Sequence, residues 1–346
     1  MSLLTVGMPV FNAMPYLPES LESILRQSYK DFEILVINDG SNDGSREYLQ
    51  SVRDPRLRII NQKNKGVTAT LNRMLAEIKT PWLARHDADD LAYPHRMARV
   101  MEYIRAYPDA GMFYSLAKFQ PKSCFGRFRT TKGSPSEIRE LVVSGYLPIV
   151  CHPTVVLNAA RTRALGGYRF NLHVEDIDLW WRMALCYDIQ MIPEVTVGFR
   201  QNIQGITSSN LRNQILNTLY IQYLLLSHLW KQDPLPYERT REPLFHLLNS
   251  RKLSFRAHMR AFNIHLGAGD PYKAFRELGR AVTASPAAFL GRVLDEFAGE
   301  RVIALGEPPA RFAAYADFFW PMRRMPLCRL GPAGALPQGC APMHQF

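Results

Sequence analysis

Phe32-Glu33-Ile34-Leu35-Val36-Ile37-Asn38-Asp39-Gly40-Ser41-Asn42-Asp43-Gly44 is an apolar run that stops at a polar, glycine-rich turn. Such a run, bounded by polar residues, marks a strand covered on both faces. Upstream, Leu3 to Val10 reads as another buried strand, and Pro18 to Tyr29 places Leu21, Ile24 and Leu25 at helical spacing with proline early in the first turn. Downstream, the pattern predicts a helix over Ser45–Val52, a strand over Leu57–Ile60, a helix over Val67–Ile78 and a strand over Trp82–Arg85. A helix over Pro94–Ala106 and a strand near Met112–Leu116 follow. This alternation predicts an α/β fold, a doubly wound and mostly parallel sheet with helices on both faces.

Ligands of open α/β sheets bind at the carboxyl ends of the strands. Those ends carry Pro9-Val10-Phe11-Asn12, then Asn38 to Gly44, then Asn61 to Gly66, then His86-Asp87-Ala88-Asp89-Asp90. Asp39, Asp87 and Asp89 thus fall on one edge, from different strands. The three carboxylates of Asp87-Ala88-Asp89-Asp90 repel one another and call for a compensating cation or for solvent. Mg²⁺ or Mn²⁺ suits hard oxygen ligands, and such an ion binds one or two carboxylates together with substrate phosphates. The other reading of this DxD pattern is a solvated acidic turn. Asn38 to Gly44 is no calcium loop, because Gln50 stands where the bidentate glutamate belongs. No GxGxxG or GxxxxGK[ST] occurs, so neither a dinucleotide site nor a P-loop is expected.

A second polar stretch is Glu175-Asp176-Ile177-Asp178-Leu179-Trp180-Trp181-Arg182-Met183. At helical spacing Glu175, Asp178 and Arg182 form a polar face, while Asp176 shares its side with Leu179, Trp180 and Met183. A carboxylate there is either a helix cap or a functional acid whose basicity its apolar neighbours raise, as suits a general base. His152, before Pro153, is either a structural hydrogen-bonding group or a contact to donor sugar or acceptor.

These segments, Pro9 to Asn12, Ser23 to Tyr29, Asn38 to Gly44, Asp87 to Asp90 and Glu175-Asp176 with Leu179-Trp180 and Arg182, resemble in order and spacing the inverting glycosyltransferases of family 2. The resemblance covers about residues 3–210 and implies the GT-A fold, a nucleotide-binding half followed by an acceptor half. It implies that Pro9, Val10, Phe11, Asn12 and Asp39 hold the nucleotide base, with Asp39 accepting from the ring N–H. Asp87 and Ala88 would lie against ribose and phosphates, Asp89 would ligate Mn²⁺ or Mg²⁺, and Asp176 would be the catalytic base. Glu175, His152 and Arg200 are further candidates for contact with donor sugar or acceptor. The expected partners are a nucleotide-sugar donor, UDP-linked, and a glycan or lipid-linked acceptor, as in surface polysaccharide synthesis. Asn202 stands where the family usually has a histidine, which keeps alive the alternative of a catalytically silent binding module. The QxxRW pattern of processive synthases is absent, which favours single addition.

The chain has 346 residues, 47% hydrophobic and 21% charged, enough apolar surface to exclude disorder as the main state. Its length exceeds the roughly 250–300 residues at which one core stops growing. The expected division is a catalytic domain over 1–210 (halves 1–120 and 121–210), a helical region over 211–317, and a basic, aromatic and then Pro/Gly-rich tail over 318–346. Lys and Arg number 42 against 31 acids, and the excess is uneven: +1 over 1–120, +3 over 121–210 and +7 over 211–346. The last third therefore suggests an anionic partner such as a membrane surface, or simply a solvated basic face. No nucleic-acid motif accompanies the charge, and nucleic acid is not expected as a partner. Phe318-Phe319-Trp320-Pro321-Met322-Arg323-Arg324 reads as an interfacial membrane contact, a docked terminal segment or disorder. Five widely spaced cysteines (Cys124, Cys151, Cys186, Cys328, Cys340) and no signal-like or membrane-spanning stretch lead to the expectation of a cytoplasmic protein, soluble or peripheral on the inner face of the membrane.

Overall fold

The structure, a computed structural model, describes residues 2–121, 128–200, 211–248, 250–297 and 304–321. Cys124, Cys328, Cys340, Asn202 and the tail from Met322 onward lie outside these residues.

Strands β1 (Leu4–Val10), β2 (Glu33–Asn38), β3 (Leu57–Asn61) and β4 (Trp82–Arg85) alternate with helices α1 (Leu17–Leu25), α2 (Ser45–Ser51) and α3 (Val67–Glu77), as the periodicity requires. After them come β5 (Leu91–Ala92), α4 (Arg96–Ala106), β6 (Met112–Gln120), α5 (Pro135–Val143), β7 (Leu147–Pro148), β8 (Val156–Asn158), α6 (Ala159–Ala164), α7 (Glu175–Cys186) and β9 (Ile189–Arg200). Eight strands form one sheet in the order β3-β2-β1-β4-β8-β6-β9-β5. Four of its seven pairings are parallel, and the antiparallel β8 joins the halves between β4 and β6. Two expected boundaries differ. Helix α1 stops at Leu25 rather than Tyr29 and α4 begins at Arg96 rather than Pro94, because the Ser28 N–H donates to the Pro94 carbonyl (2.9 Å) and ties the two chain ends together. Strand β6 runs on to Gln120 because β9 pairs with it along its whole length.

The alternation of β2 shows why its sequence is apolar on both faces. Ile34 and Val36 pack with Leu17, Leu21 and Ile24 of α1 and with Met97, Val100 and Met101 of α4. Leu35 and Ile37 face the opposite layer, built by Leu71, Met74 and Leu75 of α3 with residues of α5 and α7. Register then aligns the carboxyl ends: Val10 pairs with Asn38, Asn38 with Asn61, and Gly7 with Arg85.

The same core continues into the C-terminal helices. Helix α8 (Leu211–Leu229) buries Leu216, Leu219, Tyr220, Ile221, Tyr223, Leu224, Leu225 and Leu226. Helices α9 (Tyr237–Leu247), α10 (Ser250–Gly267), α11 (Pro271–Ala284) and α12 (Pro286–Phe297) follow, α10 and α11 as a helical pair. Of the predicted interfacial aromatics, Phe319 and Trp320 are buried: the Tyr223 hydroxyl donates to the Phe319 carbonyl (2.8 Å) and the Trp320 indole N–H to Ser227 Oγ (2.9 Å). This part of the tail is a docked terminal segment. Among the described residues, no helix is long and apolar enough to cross a membrane.

Candidate active site

The loop after β1 is pinned to the loop after β2. Asn12 adopts a positive φ (47°), a conformation asparagine tolerates better than most residues. Its N–H donates to Ser41 Oγ (3.0 Å), its Oδ1 accepts from the Asn42 N–H (2.9 Å), and the Met14 N–H donates to Asp43 Oδ2 (2.8 Å). Phe11 remains about half exposed at this edge (52%). Gly40 (φ 79°) lets the β2 and β3 loops meet, since a Cβ there would lie 2.8 Å from the Asn64 backbone nitrogen. Asp39 is buried against that second loop. Its Oδ1 accepts from Gln62 Nε2 (2.6 Å) and the Lys65 N–H (2.9 Å), its Oδ2 from the Gly66 N–H (2.9 Å).

At the end of β4, the sequence Arg85-His86-Asp87 turns from strand to site. The buried Arg85 guanidinium pairs with Asp87. His86 is enclosed by Ser20 Oγ on Nε2 (3.2 Å) and the Arg96 guanidinium on Nδ1 (3.0 Å), and burial, then the Arg96 and Arg85 charges, hold it neutral by pushing its pKa well below the ordinary value. Ser20 also donates to the Asp87 carbonyl (2.9 Å), and Arg96 donates to the carbonyls of Arg85 (2.7 Å) and Pro153 (2.6 Å). Arg96 thereby joins the acidic turn to the short 3₁₀ turn His152–Thr154.

Asp90 is fully enclosed, and its Oδ1 accepts from the Arg200 N–H (2.7 Å) while Oδ2 has no hydrogen-bond partner. Burial first, then the charges of Asp89 and Asp87, raise its pKa well above the carboxylate range. Arg200 donates to the Asp89 carbonyl (2.7 Å) and to Glu19 (2.7 Å), and lies 4.7 Å above the Tyr16 ring. It braces the turn from β9 to α1.

Helix α7 meets this edge with its first turn. His152 Nε2 hydrogen-bonds the Tyr168 hydroxyl (3.0 Å), and the ring stands edge-on to Trp180 (5.5 Å). Burial, then Arg85, keeps this histidine neutral, so the structural alternative describes its observed contacts. Asp176 is not the helix cap: Val174 holds that position, and Asp176 Oδ1 accepts from the Ile177 N–H within the first turn (2.8 Å). Burial first, with the Asp87 charge added and Arg85 opposing, pushes Asp176 up to about 6. Glu175 is buried with Oε2 unpartnered, and burial, then the Asp176 charge, pushes it up to about 8. Asp87 and Arg85 act on both groups, so the β4 end and the start of α7 form one electrostatic cluster.

The expected polar face of α7 faces inward. Asp178 and Arg182 are fully buried, and Asp178 accepts from Arg182 (2.6 Å) and from Arg169 (2.6 and 2.9 Å). Arg182 spends its other donors on the carbonyls of Leu165 and Gly167. These charges hold the 165–169 segment on the helix and take no part in the cluster. Sequence reasoning missed Arg85, His86, Arg96 and Tyr168. The available signal was two basic residues directly before the acids, where a covered strand should stay apolar.

The donor set at the β4 turn fits a hard divalent ion. Three carboxylates crowd this turn, Asp87 is paired with Arg85, and Asp90 keeps an oxygen without a hydrogen-bond partner. Among the described residues no three His, Cys, Asp or Glu side chains converge to hold an ion alone. An ion here therefore needs ligand oxygens from a bound phosphate, the usual arrangement for Mg²⁺.

The model of glycosyl transferase family 2 matches residues 5–158. Over those residues the chain is similar to that family, and the relatives it matches carry the name glycosyltransferase. Over 188 residues, 51% of this chain and 65% of the relative, the sequence is 34% identical to the putative glycosyltransferase EpsE of Bacillus subtilis. It is 28% identical to the uncharacterized glycosyltransferase MJ1057 of Methanocaldococcus jannaschii, covering 66% of this chain and 80% of that one. Several further glycosyltransferases match over about a third of their length or less. Among solved structures, residues 1–349 of S. aureus TarS in complex with UDP-GlcNAc superimpose with a TM-score of 0.55 at 14% identity, covering 84% of this chain and 92% of that one. The fold is GT-A.

Proposed function

We propose that this chain is a metal-dependent, inverting glycosyltransferase that moves a sugar from a nucleoside-diphosphate donor, UDP-linked, to a hydroxyl of a glycan or lipid-linked acceptor. The supporting observation is the convergence of the β4-end acids with a half-buried Asp176 whose pKa is lifted to about 6. A carboxylate of that basicity is ionised at neutral pH yet a stronger proton acceptor than an ordinary aspartate. The nucleotide base would rest against Pro9, Val10, Phe11, Asn12 and Asp39, and the ribose and phosphates against Asp87 and Ala88. A divalent ion held by Asp89 would supply charge neutralisation for the departing diphosphate. Asp176 takes the proton of the acceptor hydroxyl as its oxygen bonds to the anomeric carbon. The carbon–oxygen bond to the diphosphate breaks on the opposite face, and configuration inverts in one displacement. Arg85 keeps Asp87 in place, while Arg96 fixes the backbone on which both stand. A lipid-linked acceptor agrees with the +7 balance of residues 211–346, which favours an anionic membrane surface.

The test is sugar transfer from UDP-linked donors with Mn²⁺ present, comparing wild type with Asp176→Asn. Loss of transfer with UDP affinity retained supports the assignment. Equal transfer by both proteins, or equal loss of transfer and UDP affinity, removes Asp176 from the role of base.

A further inference from the structure

Asp39 sits at the carboxyl end of β2, beside Val10, whose carbonyl accepts its N–H (2.8 Å). A carboxylate offers about four acceptor directions, two on each oxygen. Three are already taken by this protein: Gln62 Nε2 and the Lys65 N–H fill Oδ1, and the Gly66 N–H takes one side of Oδ2. The Gln62 contact is fixed in sense. Arg73 donates to Gln62 Oε1 (2.7 Å), and a guanidinium only donates, so the amide oxygen must face Arg73 and the NH₂ must face Asp39. That NH₂ also donates to Thr70 Oγ1 (3.0 Å), which uses its second hydrogen.

From this we infer that the Arg73–Gln62 relay sets the nucleobase selectivity of the site, leaving Asp39 a single acceptor, on Oδ2, for a pyrimidine imide such as uracil or thymine. The inference rests on the reading of Asp39 as the base-binding carboxylate. An imide edge presents one N–H between two carbonyls and needs one acceptor. Guanine presents two adjacent donors, N1–H and the 2-amino group, and the second meets an Oδ1 already filled. Adenine and cytosine pair an amino donor with a ring-nitrogen acceptor, which faces a carboxylate oxygen with no hydrogen between them. A site built for a particular donor pattern rejects the wrong one strongly because buried polar groups are left unpaired. Gln62 and Arg73 act through Asp39 and are positioning residues.

The experiment is calorimetric titration of the intact protein, with Mn²⁺, by UDP, dTDP, GDP and CDP. The wild type should bind UDP and dTDP on the order of 100-fold more tightly than GDP. Gln62→Met and Arg73→Met should shrink the UDP-to-GDP ratio to about tenfold or less, and Arg73→Lys, which keeps a pure donor, should retain most of it. Circular dichroism confirms folding, and if Gln62→Met does not fold, the half-exposed Arg73 carries the test. Wild-type binding of GDP as tight as UDP overturns the relay while leaving the transferase reading standing. So does a ratio unchanged in the folded Arg73→Met protein. Failure of every nucleotide to bind overturns the transferase reading itself and this inference with it.

Discussion

Replacing Glu175 with glutamine should stabilise the folded protein by an amount that grows with pH. The carboxyl is buried with one oxygen unpartnered, and burial together with the neighbouring Asp176 pushes it from an ordinary 4.5 up to about 8. An acid whose pKa is raised by folding keeps its proton in the native state and releases it in the unfolded state. Its favourable contribution is complete below about 4.5 and is lost as pH rises toward 8. Glutamine keeps the shape and never ionises, so the difference between variant and wild type should widen by about 1.4 kcal/mol per pH unit across that window, or about 3 kcal/mol between pH 5 and pH 7. Asp176 titrates in both proteins, and its contribution largely cancels. The assay is denaturant unfolding of both proteins at pH 5, 6, 7 and 8, followed by tryptophan fluorescence. A difference constant across pH would refute the account of Glu175 as a neutral buried acid, and so would one that shrinks as pH rises.

The acidic limb of kcat against pH should fall near pH 6 as Asp176 takes up a proton, and a limb near 4 would place the base elsewhere. Asp178→Asn should destabilise the fold by about 3–5 kcal/mol in equilibrium unfolding, because two guanidinium groups then share one neutral amide inside the protein; a loss below 1 kcal/mol would contradict the buried pair. Trp320→Ala should cost about 3–5 kcal/mol, since the indole packs on Tyr223 and Trp230 and donates to Ser227, and an unchanged unfolding midpoint would mean that the terminal segment is not docked.

The first half of the sheet was legible because β1, β2 and β4 are covered on both faces, so their apolar runs stop abruptly at the polar sheet edge. Ile34 and Leu35 point into different layers, which is why both had to be apolar. The edge positions of Asp39 and Asp87 were legible for the same reason, as acids where apolar runs end, whereas Asp176 was legible from helical spacing, on the side of Leu179, Trp180 and Met183. Helix α7 was only half legible. Spacing identifies Asp178 and Arg182 as a pair, but it cannot distinguish a solvated stripe from a buried one. The third partner, Arg169, arrives from a loop with no periodic signal. The relay from Arg73 through Gln62 to Asp39 crosses three elements, and the Arg96 contacts to Arg85 and Pro153 join segments 57 residues apart at their farthest. Such contacts exist only once the sheet has set its register.

The most direct test of the central claim is binding of UDP to the intact protein with and without Mn²⁺, in wild type and in Asp89→Ala. UDP at about 100 times its Kd should raise the apparent stability of the wild type by about 2.7 kcal/mol, and that gain should depend on the ion and be lost in Asp89→Ala. No gain from any nucleoside diphosphate, with the ion or without it, would contradict the account and leave a catalytically silent GT-A fold.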